Sequence, residues 1–426
     1  MKVDFHMNIQ KYSRIAIIVI IVLMIELYSS TDCSLAALSD DTKTDINLNC
    51  SGALLVEQKT GYALYGRNIN KKMAPASLTK MMTCILVFEN LNPDERVTIP
   101  KEATGIGGNN IGLKPGEVLT VRELTNAMMI YSANDAAVAL AIQVSKSVDR
   151  FCKLMNKKAK SIGCTDTHYI SPNGLTDDRN HITTPRDQSK VARYLMKKQG
   201  AEEIVSRTGY TVPATNLSAP RKLKSTDEML PGGKHEYSGI RGIKTGFMPS
   251  AGYCFVGLAK RANTSFIAVV MGAPDGNKRF QDCGRLLDYG FENYETARIF
   301  APGYQTGRVK VRCGNKTFVK TFAPDGACAV ISKGQGITGD ENVRHEIKMF
   351  DNIKAPIKKG TKVGELVVYK NKEVMQVSDI LISESVKKGG PWSSLYISDR
   401  MFIVLAASSL ISIRLIIKKR SRAGRR

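Results

Sequence analysis

Short apolar stretches alternate with polar turns over most of the chain, and two pairs of them predict β-hairpins. Residues 53–56 and 62–65 are apolar runs joined by a polar segment that ends in Gly61. The apolar runs 253–258 and 266–271 flank a second polar segment. Runs of this length, bounded by turn residues, are typical of paired antiparallel strands.

Longer apolar stretches between the two hairpins predict helices. The segment 77–89 is mostly apolar and follows Pro75, and proline is common at a helix start. Residues 121–144 contain two helical stretches interrupted at 132–134, and a further helical pattern covers 280–294. Strand-like and helix-like segments therefore alternate through the first part of the chain, which predicts an α/β domain.

The pattern changes near Tyr294. Beyond it, short alternating runs such as 309–311 and 365–369 are separated by Gly, Asn-Lys and Pro turn signals. Several short strands at such spacing indicate a small all-β module. We therefore predict an α/β domain over 51–294 and a β-rich domain over 295–385.

The first residues of the chain carry the pattern of a signal peptide for export. Three basic residues, Lys2, Lys11 and Arg14, precede the wholly apolar run 15–25. Small residues near position 36 offer a cleavage site, so we predict a signal peptide over 1–36 and a polar linker over 37–50. The apolar run is shorter than the ~20 residues that a spanning helix needs. An uncleaved anchor is the alternative.

The other end of the chain predicts a membrane anchor after a linker at 386–400. Residues 401–417 contain one charge, Arg414, and the tail 418–426 carries six basic residues and no acidic one. This apolar segment reaches the lower limit of about 17 residues for a spanning helix, with Arg414 extending toward the interface. Basic residues follow the cytoplasmic ends of spans. We predict a spanning helix with a cytoplasmic tail; an amphipathic helix lying in the interface is the alternative.

The composition of the chain narrows the range of possible binding partners. The chain has 62 Lys and Arg against 39 Asp and Glu, a net charge of +23. Such an excess favours contact with polyanions, namely nucleic acid, an anionic membrane or a cell-wall polymer. No nucleic-acid motif accompanies the charge, so we predict no nucleic-acid partner. Nine cysteines occur without a Cys-x-x-Cys pair, which indicates neither a zinc site nor a compact disulfide scaffold.

Three short motifs occur in the α/β domain in a fixed order. They are Ser77-Leu78-Thr79-Lys80, Ser132-Ala133-Asn134 and Lys244-Thr245-Gly246. Each motif alone is common, and its ordinary interpretation is a helix surface, a turn or a strand end. Together, and in this order, they correspond to the Ser-x-x-Lys, Ser-Asp-Asn and Lys-Thr-Gly set of serine acyl-transfer enzymes, with Ala133 in place of the central Asp.

Each motif residue has a chemical reason to be there. A serine hydroxyl is a poor nucleophile until a base takes its proton, and a lysine three residues later stands on the same face of a helix. We predict Ser77 as the nucleophile and Lys80 as its general base. Burial and a neighbouring cation, Lys244, would lower the pKa of Lys80 so that its amine is uncharged.

The remaining motif residues predict substrate contacts. Ser132 can relay a proton between Lys80 and the leaving amine, and Asn134 can donate to the substrate amide. Lys244 and Thr245 can bind a terminal carboxylate, and Gly246 allows close approach of the strand backbone.

A tetrahedral oxyanion needs two N–H donors aimed at it. We predict that the backbone amides of Ser77 and Phe247 supply them. Both amides lie beside motif residues, at the start of a helix and just after a strand triplet.

The wider sequence around these motifs resembles the low-molecular-mass D-alanyl-D-alanine carboxypeptidases, the class C penicillin-binding proteins of peptidase family S11. The resemblance is carried by Ala-Pro-Ala-Ser-Leu-Thr-Lys-Met-Met at 74–82, Tyr-Ser-Ala-Asn-Asp-Ala-Ala at 131–137, Ser-Pro-Asn-Gly-Leu at 171–175 and Gly-Ile-Lys-Thr-Gly-Phe at 242–247. It runs from about residue 52 to 288. The segment from Ala355 to Glu365 looks like the C-terminal β-rich module of the same family.

The resemblance implies a transpeptidase- and β-lactamase-like fold of the α/β (α+β) class. An antiparallel sheet with a helical lobe is followed by a small all-β sandwich that holds the catalytic domain at the outer face of a bacterial membrane. It also implies the substrate, peptidoglycan stem peptides ending in D-Ala-D-Ala. β-Lactam antibiotics would acylate Ser77, and no metal or cofactor takes part.

Three alternative functions remain open. A class A β-lactamase uses a Glu-x-x-Leu-Asn string between the second and third motifs, where this chain instead has the 171–175 segment. A D,D-endopeptidase uses the same machinery on cross-links, and an inactive wall-binding scaffold would not need the three motifs. Two histidines, His168 and His181, and the carboxylates Asp135 and Asp187 are interpreted as structural.

Overall fold

The computed structural model describes residues 46–336, 343–390 and 399–423, with backbone alone for 399–402 and 416–423. The signal peptide predicted over 1–36 lies outside these residues. So do most of the linker at 37–50, part of the linker at 386–400 and the end of the basic tail.

Sixteen strands and eight α-helices occur in the described residues. The strands are β1 Gly52–Glu57, β2 Ala63–Arg67, β3 Arg96–Thr98, β4 Val118–Thr120, β5 Gly209–Val212, β6 Arg221–Lys224, β7 Ile240–Met248, β8 Gly252–Arg261, β9 Thr264–Ala273, β10 Tyr294–Phe300, β11 Tyr304–Lys310, β12 Phe318–Ala323, β13 Ala327–Ser332, β14 Val343–Met349, β15 Lys362–Lys370 and β16 Glu373–Ile382. The helices are α1 Lys80–Asn90, α2 Val121–Asn126, α3 Asn134–Ser145, α4 Val148–Ser161, α5 Pro185–Leu195, α6 Ala201–Val205, α7 Gly276–Asn293 and α8 Asp399–Ala423.

A five-stranded antiparallel sheet with the order β2-β1-β9-β8-β7 forms the centre of the first domain. Both predicted hairpins are present, as β1–β2 and β8–β9. The helix predicted from residue 77 begins as a 3₁₀ turn, Ala76–Thr79, and continues as α1. Strand β7, which carries the third motif, lies at the edge of the sheet, so one side of its backbone is available to a ligand.

Both faces of this sheet are covered, which explains why β1 is buried at every position. Leu54 and Val56 pack into the core of the helical lobe, while Ala53 and Leu55 pack on the opposite face with α7. Successive side chains of a strand point to opposite faces, so a continuous apolar run is required where both are covered.

The second domain is a β-sandwich, as the resemblance implied. Its larger sheet has the order β11-β12-β16-β15-β14, and the smaller pairs β10 with β13. Apolar side chains of β13, β15 and β16 meet between the sheets, among them Ala329, Leu366, Val368, Ile380 and Ile382. Alternating inward and outward positions in these strands account for the short periodic runs of the sequence.

Helix α8 covers the whole of the predicted anchor at 401–417. In the part of the chain whose side chains are described, no helix has both the length and the apolar composition required to cross a membrane. The side chains of residues 401, 402, 416 and 417 lie outside that part.

Candidate active site

The predicted nucleophile lies in a tight turn at the start of α1. Ser77 belongs to the 3₁₀ turn, and the residue before it, Ala76, is fully buried with a φ of 46°. A non-glycine residue in this left-handed region is strained and is held there by its surroundings. One such contact is Gly174, whose φ is +81° and where a Cβ would lie 1.9 Å from the Ala76 carbonyl oxygen. The Asn-Gly turn therefore presses against the nucleophile segment.

Three oxygen atoms surround the amine of Lys80. The Nζ atom lies 2.7 Å from the Ser77 hydroxyl, 2.7 Å from Asn134 Oδ1 and 2.9 Å from the carbonyl oxygen of Asn173. The Asn134 amide is oriented by its Nδ2, which donates to the Gly107 carbonyl at 2.8 Å. Asn134 Oδ1 and the Asn173 carbonyl can only accept hydrogen bonds. A neutral amine has two N–H groups for these two acceptors, which leaves its lone pair facing Ser77.

The protonation state of Lys80 follows from burial. Its side chain is fully buried, and desolvation holds its pKa well below the usual value for lysine; the nearby Lys244 cation acts in the same direction. Asp135 opposes the shift, because a carboxylate favours the ammonium form. The net direction agrees with the requirement for an uncharged base.

The second motif follows an irregular helix end. The π-helical segment Ala127–Tyr131 ends at Ser132, which has a φ of 67° and turns the chain into α3. Ser132 lines the cleft together with Ser77 and Asn134. In the described structure Ser132 makes no hydrogen bond to Lys80. Asn134 was expected to donate to substrate, but its Nδ2 is engaged with the loop at Gly107.

The third motif runs along the edge strand β7. A Cβ on Gly246 would lie 3.3 Å from both the Pro75 carbonyl oxygen and the Ser77 nitrogen, so this strand passes directly beside the nucleophile turn. Thr245 lines the cleft and its hydroxyl lies 2.6 Å from that of Thr226. Lys244 is 1% exposed, and its Nζ donates to the Thr245 carbonyl at 3.0 Å.

The electrostatic environment of Lys244 differs from that of a lysine on the protein surface. Burial lowers the pKa of Lys244 to about 7, Arg279 adds to the effect, and Asp227 opposes it. Burial also raises the pKa of Asp227 to about 6, and its Oδ2 has no hydrogen-bond partner among the described residues. Lys244 is therefore held behind the cleft surface, where its charge depends on its neighbours.

Arg279 is a cleft residue that the sequence analysis did not identify. It lies in the first turns of α7, its Nη1 donates to the Gly246 carbonyl at 3.2 Å, and its guanidinium lies over the ring of Tyr253. Its Nε is buried and finds no acceptor in the part of the chain that the structure describes. No motif marks this position; only the packing of α7 beside β7 and β8 brings it to the site.

The cleft between these elements has a volume of about 550 Å³. Ser77, Ser132 and Asn134 lie along its wall, and Thr245 to Tyr253 and Arg279 complete it. The rings of Phe247 and Tyr253 are stacked 4.2 Å apart. Within the described residues, no three side chains of the metal-binding types are grouped together.

His181 supports the nucleophile turn and does not reach the cleft. Its Nδ1 accepts from the Ile170 N–H at 3.1 Å, so its Nε2 carries the proton and donates to the Thr79 hydroxyl at 2.8 Å. That hydroxyl in turn donates to the Ala76 carbonyl at 2.8 Å. This chain of hydrogen bonds holds the strained residue next to Ser77 and supports the structural interpretation of His181.

We expect the stability of the protein to fall in acid through His181. Burial lowers the pKa of His181 to about 4 from a usual value of 6.5. The unfolded chain therefore binds the proton first, so the contribution of neutral His181 is complete above pH 6.5 and is lost as the pH falls to about 4. Urea denaturation at pH 7 and pH 4.5 should show a His181-dependent loss of about 2–3 kcal/mol.

A matched pair of variants tests this prediction. His181→Gln should be less stable than the wild type at pH 7 and should lose less stability on acidification. His345→Gln, at an exposed position of β14, should behave as the wild type at both pH values. An unchanged acid response in His181→Gln would assign the effect to another group.

Comparison with known proteins gives matches over both domains. A D-alanyl-D-alanine carboxypeptidase family model matches residues 39–275, and a penicillin-binding protein 5 C-terminal domain model matches 294–388. The D-alanyl-D-alanine carboxypeptidase DacF of Bacillus subtilis is 36% identical over 345 residues, which cover 79% of this chain and 86% of that protein. DacC of Escherichia coli is 29% identical over 79% of this chain and 84% of its own length.

Solved structures give the same result. The structure of penicillin-binding protein 5 from Haemophilus influenzae superposes with a TM-score of 0.65 at 26% identity, covering 82% of this chain and all of that one. Penicillin-binding protein D2 of Listeria monocytogenes, in its ampicillin-bound form, has a TM-score of 0.52 at 31% identity and covers 58% of this chain and all of that one. The chain therefore belongs to the D-alanyl-D-alanine carboxypeptidases of peptidase family S11, the low-molecular-mass class C penicillin-binding proteins.

Proposed function

We propose that this chain removes the terminal D-alanine from peptidoglycan stem peptides through an acyl-enzyme on Ser77. The observation that carries the proposal is the environment of Lys80 Nζ, with two acceptor-only oxygens and the Ser77 hydroxyl 2.7 Å away. A neutral, buried amine in this position is a base aimed at the nucleophile. β-Lactam antibiotics, which acylate the same kind of serine, would be bound covalently.

Acylation begins with proton transfer from Ser77 to Lys80 as the hydroxyl oxygen attacks the carbonyl carbon of the penultimate D-alanine. The charge that develops on the carbonyl oxygen would be stabilised by the backbone N–H groups of Ser77 and Phe247. The close approach of β7 to this turn supports the pairing, because a Cβ on Gly246 would lie 3.3 Å from the Ser77 nitrogen.

Collapse of the tetrahedral intermediate breaks the peptide bond and releases D-alanine. The leaving nitrogen requires a proton, which the Lys80 ammonium supplies through the hydroxyl of Ser132. The substrate would also compete with Gly107 for the Asn134 amide. On binding, Asn134 Nδ2 would release the Gly107 carbonyl and donate to a carbonyl of the substrate instead. Water then hydrolyses the acyl-enzyme, with Lys80 again as the base.

The terminal carboxylate of the substrate would bind to Thr245 and Arg279, with Lys244 behind them. Arg279 supports this assignment because it lines the cleft together with Thr245. Arginine binds carboxylates through two parallel hydrogen bonds. The sequence alone predicted Lys244 and Thr245 for this role.

We expect Arg279→Gln to raise KM for a peptide ending in D-Ala-D-Ala by about 10- to 100-fold, with a smaller effect on kcat. Hydrogen bonds to charged groups contribute about 1.5–3 kcal/mol, and a contact made equally in the ground and transition states acts on KM. The measurement is the steady-state release of D-alanine from the free peptide and of D-alanine amide from its C-terminally amidated form. The wild type and the variant should differ far less on the amide. Equal deficits on both substrates would show that Arg279 has another role.

The reaction itself is tested with a purified muropeptide that ends in D-Ala-D-Ala. Mass spectrometry should detect the loss of one alanine per peptide. Cleavage of a cross-linked dimer without alanine release would support an endopeptidase instead. Rapid turnover of penicillin would support a β-lactamase, and absence of both turnover and covalent label would support a scaffold.

We also propose that α8 attaches the protein to the membrane. Its exposed apolar side chains surround the helix, and they include Ile403, Val404, Leu410, Ile411 and Leu415. The hydroxyls of Ser408, Ser409 and Ser412 donate to carbonyls of the preceding turn, which satisfies these polar groups within the helix. Membranes washed at high pH should retain the protein if α8 is inserted and should release it if the helix lies only at the surface.

A further inference from the structure

Three separate segments of the β-sandwich come together at one end of the domain. They cover residues 312–320, 351–359 and 384–389. Isolated β-bridges join Arg312 with Lys354, Gly314 with Lys388 and Ile357 with Val386. The segments thus form one continuous surface fixed by backbone hydrogen bonds.

This surface is strongly basic. Its exposed basic side chains are Arg312, Lys316, Lys320, Lys354, Lys358, Lys359, Lys387 and Lys388. The same segments contain two acidic residues, Asp351 and Glu384. We call this set of eight side chains the basic surface. Like charges gathered in this way repel one another, so the arrangement stabilises the folded domain only poorly and indicates an anionic partner.

Few of these charges are neutralised within the described residues. Lys316 forms an ion pair with Glu384. The lysines at 354, 358, 359, 387 and 388 form no salt bridge in the described part of the chain. Five lysine ammonium groups are therefore available to an external anion.

An exposed aromatic ring lies within the same surface. Phe318 is 57% exposed and stands between Lys316 and Lys320 in sequence. Basic residues combined with an exposed aromatic or apolar side chain are typical of surfaces that rest on lipid headgroups.

The path of the chain places this surface close to the attachment helix. Gly389 donates to the Cys313 carbonyl at 2.9 Å, so the chain leaves the domain from within the basic surface. Helix α8 begins at Asp399. The segment 391–398 can extend over at most about 30 Å, because each residue adds ~3.5 Å. A membrane that holds α8 is therefore within reach of these lysines.

We propose that the basic surface docks on the anionic phospholipid headgroups of the membrane that α8 enters. The inference rests on the proposed membrane attachment by α8 and adds a second, electrostatic contact made by the folded domain. Phosphate groups of a wall polymer carry the same chemistry, but the short path to α8 favours the lipid surface. Docking would fix the orientation of the β-sandwich relative to the bilayer.

The test compares two full-length variants in vesicle sedimentation. In one, five lysines of the basic surface are changed to glutamine, at 354, 358, 359, 387 and 388. In the matched control, five exposed lysines of the first domain are changed, at 101, 153, 157, 160 and 222. Vesicles are either pure phosphatidylcholine or phosphatidylcholine with phosphatidylglycerol. Covalent labelling by fluorescent penicillin checks that both variants are folded.

The first variant should bind phosphatidylglycerol vesicles at least about tenfold more weakly than the control, since lysines near an anionic surface each contribute to binding. The difference should vanish on phosphatidylcholine and shrink at high salt. Equal binding by the two variants, or a difference that persists on neutral vesicles, would overturn the proposal. A loss of binding to soluble poly(glycerol phosphate) with unchanged vesicle binding would assign the surface to a wall polymer.

Two further measurements distinguish docking of the basic surface from attachment by α8. Binding of a variant to neutral vesicles depends on α8 alone. If no variant binds neutral vesicles, the proposed anchor is rejected, but the comparison between the two lysine variants on anionic vesicles still tests the basic surface. The chain has one tryptophan, Trp392. In a Trp392→Phe background, Phe318→Trp should shift its emission to shorter wavelength on anionic vesicles only. An unchanged spectrum would show that the basic surface does not touch the lipid.

Discussion

Ser77→Ala is expected to abolish both covalent labelling by fluorescent penicillin and release of D-alanine, with kcat falling by about 10⁴-fold or more. Removal of the attacking oxygen leaves only binding and oxyanion stabilisation, and losses of this size are measured when a serine nucleophile is deleted. The substitution removes one oxygen atom from a fully formed turn, so the fold should be retained.

The measurement is labelling on a gel, together with D-alanine release from a pentapeptide. Ser161→Ala, at an exposed position of α4, is the matched control and should label as the wild type does. Covalent label that persists in Ser77→Ala would mean that another residue is the nucleophile, and the proposed mechanism would be wrong.

Lys80→Arg is expected to lower the rate of acylation by about 10³- to 10⁴-fold. General bases contribute about 10²- to 10⁴-fold, and arginine cannot accept a proton because its pKa exceeds about 12. The guanidinium would also bury a permanent charge where the structure holds an amine with a strongly lowered pKa. The measurement is the rate of penicillin labelling as a function of pH.

A second variant distinguishes lost chemistry from lost folding. Lys80→Met keeps an unbranched side chain of similar length and carries no charge, so it should fold, as a thermal melt would show, and yet acylate as slowly as Lys80→Arg. Lys153→Arg, on the exposed face of α4, should have wild-type activity. Rapid acylation by Lys80→Met would exclude Lys80 as the base.

The same network gives the 171–175 segment a different role from the glutamate-carrying segment of class A β-lactamases. The segment that carries a glutamate in class A β-lactamases here supplies the Asn173 carbonyl to Lys80 at 2.9 Å. Its glycine, Gly174, packs against the Ala76 carbonyl. The segment therefore braces the base and the nucleophile, and slow deacylation of penicillin is the expected consequence.

Local sequence predicted several elements because their patterns are local. The apolar run of β1 predicted one strand of a hairpin, and the interruption at Ser132 predicted a break between two helices. Both are present, although the break takes the form of a π-helical segment with Ser132 in a left-handed conformation. Such features depend mainly on residues that are close together in the sequence, so a short stretch of sequence is enough to predict them.

Contacts between segments that are distant in sequence could not be predicted in the same way. Arg279 reaches the cleft because α7 packs beside β7, and His181 reaches Thr79 across 102 positions of sequence. The sequence predicted Lys244 and Thr245 as the residues that meet the substrate carboxylate, but it did not reveal that Lys244 is 1% exposed and donates its Nζ to the Thr245 carbonyl. Burial and the neighbours of a charged group depend on the packing of the whole domain.

The amino-acid sequence was enough to predict a candidate nucleophile, its candidate base and the order of the two domains, because three short motifs and the apolar periodicity are local features of the chain. The fold shows in addition that two acceptor oxygens and one hydroxyl surround Lys80 Nζ, and that eight basic side chains lie at one end of the β-sandwich. The reason is physical. The shift of a pKa and the electrostatic potential at a surface are sums of contributions from groups that are close in space. Folding brings those groups together from distant parts of the sequence.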